Sequence, residues 1–294
     1  MKGFLKFIAV FVSILLLSAV LAPVLYDLLP FKFEKIFNRL VMILAFLSIA
    51  IFVRVGRETF VHYGIDWRKD SAALLRTGFL TGIVVLLIFT GTEMLIGNAY
   101  WGLRDYTWSR WIQKILGCFL TAIVIAPLEE FFFRGFIFTS LRDKLCRGNV
   151  LLGMVLTSLF YSSVHFIALR RPAIGADPGF MDSLKLIAAP VQSFADWHGV
   201  WPAAIGLFLF GMVLNYTVVR TRSLYAAIGL HAGCVLYVRM VGYFIGFLEH
   251  HKFLLSSKKV YDGVLGWVFL LVIGFLLSRF LKKAAAASPA VPKA

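Results

Sequence analysis

Charged and imidazole side chains occur inside three long apolar runs of this 294-residue sequence. One run contains Glu129, Glu130 and Arg134, and two later runs contain His165 and His231. An ionisable side chain inside a membrane costs several kcal/mol unless it is paired or hydrated. Such residues are therefore candidates for chemistry, and carboxylate with imidazole is a combination that moves protons or binds metal ions.

The spacing of the two glutamates predicts different roles for them. At about 100° per helical residue, Glu130 and Arg134 lie about 40° apart and can pair on one face. Glu129 lies about 140° from Arg134 and cannot easily share this pair. We therefore expect Arg134 to neutralise Glu130, whereas Glu129 can act as a general base in a site of low dielectric constant.

Both histidines can reach the depth of Glu129 in a bilayer. At 1.5 Å per residue, Glu129, His165 and His231 lie roughly 18, 22 and 11 Å from the ends of their apolar runs. Allowing for uncertain boundaries, the three can meet in the middle third of the bilayer. There they could hold a water molecule or a divalent metal ion such as zinc, with Glu129 as the base.

Structural explanations remain open for each of these residues. Glu130 and Arg134 could form a purely structural ion pair, and Glu129 could be a protonated packing residue. Either histidine, taken alone, is compatible with a hydrogen-bonded core residue. Tyr161 lies one turn before His165 and could orient that imidazole or simply pack.

The composition indicates what must hold these residues in place. Hydrophobic residues make up 60% of the chain, charged residues 15%, and the mean hydropathy is +0.85. Soluble chains carry roughly a quarter charged residues, so a soluble enzyme, a disordered chain and a nucleic-acid binder all fit poorly. A membrane span needs about 20 apolar residues. We predict an all-α polytopic membrane protein with about eight transmembrane helices enclosing an intramembrane polar site, at residues 5–28, 37–55, 72–96, 111–141, 150–169, 201–219, 224–248 and 263–281.

We expect a single membrane domain over residues 1–283, with the motif-bearing core at about 111–248 and a disordered tail at 284–294. Pro23 follows the small residue Ala22 and disfavours cleavage there, so we expect the first apolar segment to be retained. The loop 170–200 contains a mixed stretch that could form an interfacial helix or a cover over a site.

The chain is strongly basic, with 30 Lys and Arg against 15 Asp and Glu and a net charge of +15. Because these residues lie between apolar runs, anionic lipids are the expected partner and nucleic acid is not. A slight excess of Lys and Arg on the N-terminal side predicts cytoplasmic termini, in a cell inner or plasma membrane. The three cysteines are too few and too scattered for a disulfide framework.

Two motifs in these apolar runs resemble those of a known family. Glu129-Glu130-x-x-x-Arg134, which continues as Phe-Arg-Gly, and Tyr161-x-x-x-His165 in the next run resemble the CPBP family. This family comprises the CAAX prenyl proteases and bacteriocin-processing enzymes, also called type II CAAX protease-like intramembrane endopeptidases. The second motif of the family has Phe where this chain has Tyr161.

The third family motif is matched in part. In the family a histidine is followed four residues later by Asn or Asp, whereas here His231 is followed by Val235. The three motifs together cover about residues 111–237. The resemblance implies that the family amide or carboxyl group helps to stabilise an oxyanion, which Val235 cannot do. Asn215, Ser162 or a backbone N–H group could substitute for it.

The resemblance also implies a role for each site residue. Glu129 would activate the attacking water, and His165 and His231 would bind that water, a metal ion or the developing oxyanion. Glu130 and Arg134 would hold the geometry of the site. The implied activity is hydrolysis of a peptide bond in a membrane-associated peptide or protein.

Two other function classes fit the same residues. A non-catalytic CPBP-like membrane protein that binds a partner is favoured by Val235. A proton-coupled transporter would also use buried Glu, His and Arg residues, but the sequence has no repeats or matched broken helices of the kind that transporters usually show.

Overall fold

The computed structural model of the chain describes residues 2–55, 60–165, 173–195, 197–248 and 251–286. These ranges are helical apart from loops and one pair of three-residue strands, and the predicted all-α polytopic membrane fold is confirmed. The elements are α1 (Lys2–Leu28), α2 (Phe33–Val55), α3 (Ser71–Leu95), β1 (Ala99–Trp101), α4 (Trp108–Glu130), two π-helical segments (Phe131–Phe138 and Leu141–Leu145), α5 (Val150–His165), α6 (Phe180–Ala195), α7 (Trp197–Thr221), α8 (Tyr225–Phe244), β2 (Ile245–Phe247), α9 (Lys252–Leu255) and α10 (Val264–Ala286).

Six helices in the described ranges are long and apolar enough to cross a membrane. They are Ala9–Leu28, Ser71–Leu95, Trp108–Leu145, Gly199–Thr221, Tyr225–Phe244 and Val264–Leu281. The predicted segments 37–55 and 150–169 correspond to α2 and to the shorter apolar helix α5. Residues 166–169 of the predicted fifth segment lie outside the described residues.

The chain divides into two compact units, and the single membrane domain expected over residues 1–283 stays a prediction. The smaller unit contains residues 1–59 and 163–200, and the larger contains residues 60–162 and 201–294. The tail predicted at 284–294 begins as helix, because α10 continues through Ala286. Residues 287–294 lie outside the described residues.

In the smaller unit, α1 packs against α2 and α6. Ala19 and Ala22 of α1 contact a buried cluster that includes Phe33, Phe37 and Leu186. Small side chains on α1 let the aromatic rings of α2 approach closely. The predicted mixed stretch of the loop 170–200 is therefore a helix, α6, with one side packed on the apolar core.

Helix α6 begins with a side-chain cap. Asp182 Oδ2 accepts a hydrogen bond of 3.0 Å from the backbone N–H of Gly179, which satisfies a donor that the first helical turn leaves free. Lys185 Nζ lies 2.7 Å from Asp182 Oδ1. The hydrogen bond from Lys185 has the larger effect and that from Gly179 the smaller, and both lower the pKa of Asp182. The cap fixes the start of the helix at Phe180.

In the larger unit, α3 packs along α8, which also contacts α4, while α10 packs on α3. Two glycines permit the close approach of α3 and α8. A Cβ atom at Gly78 would overlap the carbonyl oxygen of Ala226, and one at Gly229 would overlap that of Leu75. The backbones of the two helices are therefore in direct contact. This pair forms the frame against which α4 places its glutamates.

Candidate active site

The two glutamates lie where α4 changes into a π-helical segment. Glu129 and Glu130 are the last residues of α4, and Arg134 lies in the wider turns of Phe131–Phe138. Pro127 precedes this junction and has no N–H group to donate to an earlier turn. Short π-helical turns inside α-helices often accompany functional sites, because they redirect side chains without ending the helix.

Glu130 and Arg134 form the ion pair expected from their spacing. Arg134 Nη1 donates to Glu130 Oε1 at 3.0 Å, and both side chains are 0% exposed. A buried charge of either sign is strongly unfavourable without its partner. The pair therefore keeps two charges in an apolar environment at no net charge.

His231 of α8 binds the same carboxylate oxygen. Its Nδ1 atom lies 2.7 Å from Glu130 Oε1. A carboxylate that is paired with Arg134 can only accept hydrogen bonds, so Nδ1 of His231 must carry the proton. This bond holds the imidazole in one orientation and directs its other nitrogen, Nε2, away from Glu130.

Nε2 of His231 faces Glu129. It lies 3.8 Å from Glu129 Oε2, which is longer than a hydrogen bond but short enough for one water molecule to contact both atoms. The side chain of Glu129 is 25% exposed, whereas that of Glu130 is 0% exposed. The two adjacent glutamates therefore differ: Glu130 is completely buried in an ion pair, whereas the side chain of Glu129 is partly exposed.

Aromatic rings surround the charged groups. The guanidinium of Arg134 lies 4.2 Å from the ring centre of Tyr161 and 5.7 Å from that of Phe133. Phe210 of α7 meets the His231 ring edge to face, with 5.6 Å between the ring centres. Tyr161 therefore contacts the arginine of the site. Phe210 was not expected, since one aromatic residue within the apolar sequence of α7 carries no distinguishing signal.

His165 is the last residue of α5 and belongs to the smaller unit, whereas Glu129, Glu130, Arg134, Tyr161 and His231 belong to the larger one. The larger unit thus brings together five of the six predicted site residues. The participation of His165 stays a prediction that is based on its motif.

The candidate substitutes for the missing family amide have other partners. Nδ2 of Asn215 donates to Met154 O at 3.2 Å and to Ser158 Oγ at 3.0 Å, which ties α7 to α5. The Ser162 hydroxyl donates to Ala204 O at 2.8 Å. Val235 itself packs against an apolar cluster of α4 and α8. Of the suggested donors, a backbone N–H group remains.

The described residues contain no group of three or more His, Cys, Asp or Glu side chains placed to hold a metal ion. Catalytic zinc sites in proteins usually have three protein ligands. Glu129 and His231 supply two candidate ligand atoms 3.8 Å apart. Glu129 and His231 alone do not complete a three-ligand set, so the chemistry below is derived from water and protein groups, and the metal set that includes His165 stays a prediction.

Comparison with known proteins agrees with the motifs. Residues 111–237 match the family model described as "Type II CAAX prenyl endopeptidase Rce1-like". The chain is also 21% identical over 200 residues to "Uncharacterized protein YyaK" of Bacillus subtilis (strain 168), a match that covers 68% of this chain. The chain spans about half the length of this curated relative, 52%. No solved structure matches the chain.

Proposed function

We propose, from the Rce1-like type II CAAX prenyl endopeptidase domain at residues 111–237, that this multi-pass membrane protein is an intramembrane endopeptidase. The family match confirms the resemblance to CAAX protease-like proteins and supports hydrolysis as the activity. The observation that carries the proposal is the pair of facing atoms, Glu129 Oε2 and His231 Nε2, 3.8 Å apart beside a buried ion pair.

In the proposed reaction, one water molecule contacts Glu129 and His231. Glu129 takes a proton from the water as its oxygen attacks the carbonyl carbon of the peptide bond. A tetrahedral intermediate forms with a negative oxygen. When it collapses, the C–N bond breaks and Glu129 returns the proton to the leaving amine. The products are a carboxylic acid and an amine, so atoms and charge balance.

The neighbouring residues position these groups. Glu130 accepts a hydrogen bond from the protonated Nδ1 of His231. This bond leaves Nε2 of His231 directed at the water. Arg134 neutralises Glu130 and prevents it from competing with Glu129 as a base. His165 would bind the water or the oxyanion from α5, as its motif implies. A backbone N–H group would complete the oxyanion site in place of a side chain at Val235.

The proposed substrate is a peptide or protein held at the membrane, because Glu129 lies within an apolar span. Anionic lipids are the proposed surroundings of the basic loops. We place the protein in a cell inner or plasma membrane with both termini in the cytoplasm, from the distribution of Lys and Arg.

The test is cleavage of a membrane-peptide library by purified protein in detergent. Glu129→Gln should lower the cleavage rate by about 10²–10⁴-fold, because the base is lost while the shape of the side chain is kept. The thermal unfolding midpoint should stay near that of the wild type. Glu34→Gln makes the same chemical change in α2 and should leave the rate unchanged.

Cleavage that Glu129→Gln retains would contradict the role of Glu129. Unfolding of this variant would show instead that Glu129 is a structural residue. A folded wild-type protein that cleaves no member of the library, prenylated peptides included, would favour the second function below.

Removal of metal ions provides a separate test of the reaction. Because the described side chains do not assemble three metal ligands, we expect a chelator to leave the cleavage rate within about twofold of the untreated rate. Elemental analysis of the same sample should find less than one zinc per chain. Loss of activity on chelation with recovery on adding zinc would mean that the site binds a metal ion in the working enzyme.

A second candidate function is partner binding without catalysis, and Val235 favours it. The position where the family has Asn or Asp is packed in an apolar cluster, and Asn215 and Ser162 are engaged elsewhere. For a protein of this kind, the wild type and the Glu129→Gln variant would bind the membrane partner equally well. The endopeptidase would instead retain uncleaved substrate in this variant.

A further inference from the structure

A second buried carboxyl group lies in the larger unit, away from the motifs of the candidate active site. Glu93 is in the last turn of α3 and is 0% exposed. No Lys, Arg or His of the described residues forms an ion pair with it, and its side-chain hydrogen bond comes from Asn98 Nδ2. An ionised carboxylate in this position would carry an uncompensated buried charge.

The chain turns back after α3 so that Asn98 reaches Glu93 twice. Gly97 adopts a left-handed conformation with φ of +83°, which favours glycine. The backbone N–H of Asn98 then donates to the backbone oxygen of Glu93 at 2.9 Å, and the side-chain amide reaches the carboxyl group. The two side chains are held together by the fold of the turn.

Two oxygen atoms of this pair have no donor. Glu93 Oε1 and Asn98 Oδ1 are both buried and lack a hydrogen-bond partner among the described residues. Both atoms only accept hydrogen bonds when the glutamate is ionised. A single proton on Oε1, donated to Oδ1, would satisfy both atoms at once. Together with the existing bond from Nδ2 to Oε2, it would close a cyclic acid–amide pair.

We propose that Glu93 is a proton-binding site, at which a proton taken from solvent is shared between Glu93 Oε1 and Asn98 Oδ1. The ligand is the proton itself, and Glu93 is a neutral carboxylic acid at neutral pH. The inference does not depend on the proposed endopeptidase activity.

The groups that face Glu93 favour its neutral form. Asp262, just before α10, interacts electrostatically with Glu93 and would repel a second negative charge. The carboxyl group of Asp262 accepts hydrogen bonds from the N–H and the hydroxyl of Ser257, and Lys252 Nζ lies 3.7 Å from its Oδ2. Lys252 therefore forms an ion pair with Asp262.

Two phenols also lie near this site. Tyr237 of α8 lies near Glu93, and its hydroxyl lies 2.5 Å from Thr90 Oγ1. Tyr261 lies next to Asp262, and burial raises the pKa of Tyr261 to about 12, so this phenol is neutral over the working range. Neither group supplies the positive charge that an ionised Glu93 would need.

The proton connects three elements at this end of the unit. Asn98 leads into β1, and its carbonyl oxygen accepts from Leu248 N at 2.9 Å, just after β2. β1 pairs with β2 in antiparallel register, with Tyr100 opposite Gly246. Protonated Glu93 thus links the end of α3 to the strand pair, and its ionisation would break one of two side-chain hydrogen bonds in this link.

The experiment is infrared spectroscopy of the purified full chain at neutral pH. The wild type should show the C=O stretching band of a protonated carboxylic acid, which Glu93→Gln removes. Asn98→Leu should keep the band and move it to higher frequency, since the hydrogen bonds to the acid are lost. Glu34→Gln, the matched change at a partly exposed glutamate of α2, should leave the band unchanged.

Thermal unfolding provides a second readout. Glutamine imitates the protonated acid, so Glu93→Gln should match the wild type at acid pH, below the ordinary glutamate pKa of about 4.3, where the unfolded chain is protonated as well. As the pH rises from there through neutral, the wild-type midpoint should fall further than that of Glu93→Gln, because ionisation of Glu93 in the unfolded chain favours unfolding of the wild type alone. An acid band that Glu93→Gln does not remove would overturn the proposal. So would stabilisation of the wild type, and not of Glu93→Gln, by Na⁺ or K⁺, which would identify a cation as the ligand.

Discussion

Glu130 and Glu93 are both completely buried in apolar spans of the same unit, but their surroundings differ. Glu130 accepts hydrogen bonds from Arg134 and from His231. Glu93 receives one side-chain hydrogen bond, from the neutral amide of Asn98. Burial alone therefore does not decide the charge of a membrane carboxyl group. The partners decide it, and these two groups illustrate both results.

The difference has a chemical consequence. A carboxylate with a fixed cation stays ionised and can orient an imidazole through a strong, charge-assisted hydrogen bond. A carboxylic acid paired with an amide carries no charge that could orient a catalytic group. The charged pair suits a site that must hold His231 in one orientation, and the neutral pair suits a link at the end of a helix.

The largest expected effect comes from removing the cation of the charged pair. Arg134→Met should destabilise the protein by about 3–5 kcal/mol, because Glu130 becomes an uncompensated buried charge. Thermal unfolding in detergent measures this loss. Adding Glu130→Gln to Arg134→Met should restore much of it, since no charge is then left behind. If Arg134→Met is at least as stable as Glu93→Gln, the contrast between a charged pair at Glu130 and a neutral pair at Glu93 is wrong.

Removing the imidazole should cost less. His231→Leu takes one hydrogen bond from a carboxylate that keeps Arg134, and bonds to charged groups contribute about 1.5–3 kcal/mol. Chemical unfolding of His231→Leu and of Arg134→Met, measured side by side, ranks the two losses of stability. In the same preparation cleavage should be lost. A loss of stability as large as that of Arg134→Met would mean that His231 supplies part of the positive charge at Glu130.

The smallest expected effect is at Val235. Val235→Asn places an amide one turn after His231 and should cost about 1 kcal/mol, for a polar group in an apolar cluster. The cleavage rate should rise, by up to about 10²-fold, if the amide reaches the oxyanion. Val235→Leu is the control for packing without an amide. Equal rates in both variants would place oxyanion stabilisation elsewhere.

The sequence predicted contacts along one helix better than contacts between helices. Glu130 and Arg134 are four residues apart, and helical periodicity alone pairs them. The bond between Glu130 and His231 joins residues 101 positions apart, so only the packing of α4 on α8 establishes it. The sequence predicts a similar depth for both histidines but could not assign which nitrogen of His231 faces Glu129 and which faces Glu130.

The neutral pair was missed for a related reason. Glu93 lies in the predicted segment 72–96, but its partner Asn98 follows the end of α3, where no helical spacing applies. The turn at Gly97 sets that contact. Similarly, Asn215 was a candidate oxyanion donor from its residue type, and only the three-dimensional neighbours Met154 and Ser158 show that its amide is engaged.

The backbone contact between α3 and α8 also limits how the proposed enzyme could open. At Gly78 and Gly229 no side chain separates the two helices, so a sliding motion would drive carbonyl oxygens into neighbouring backbone atoms. The two helices should move as one rigid body. In the proposed enzyme, any opening that admits a peptide to Glu129 would then have to come from parts of the protein other than the α3–α8 pair.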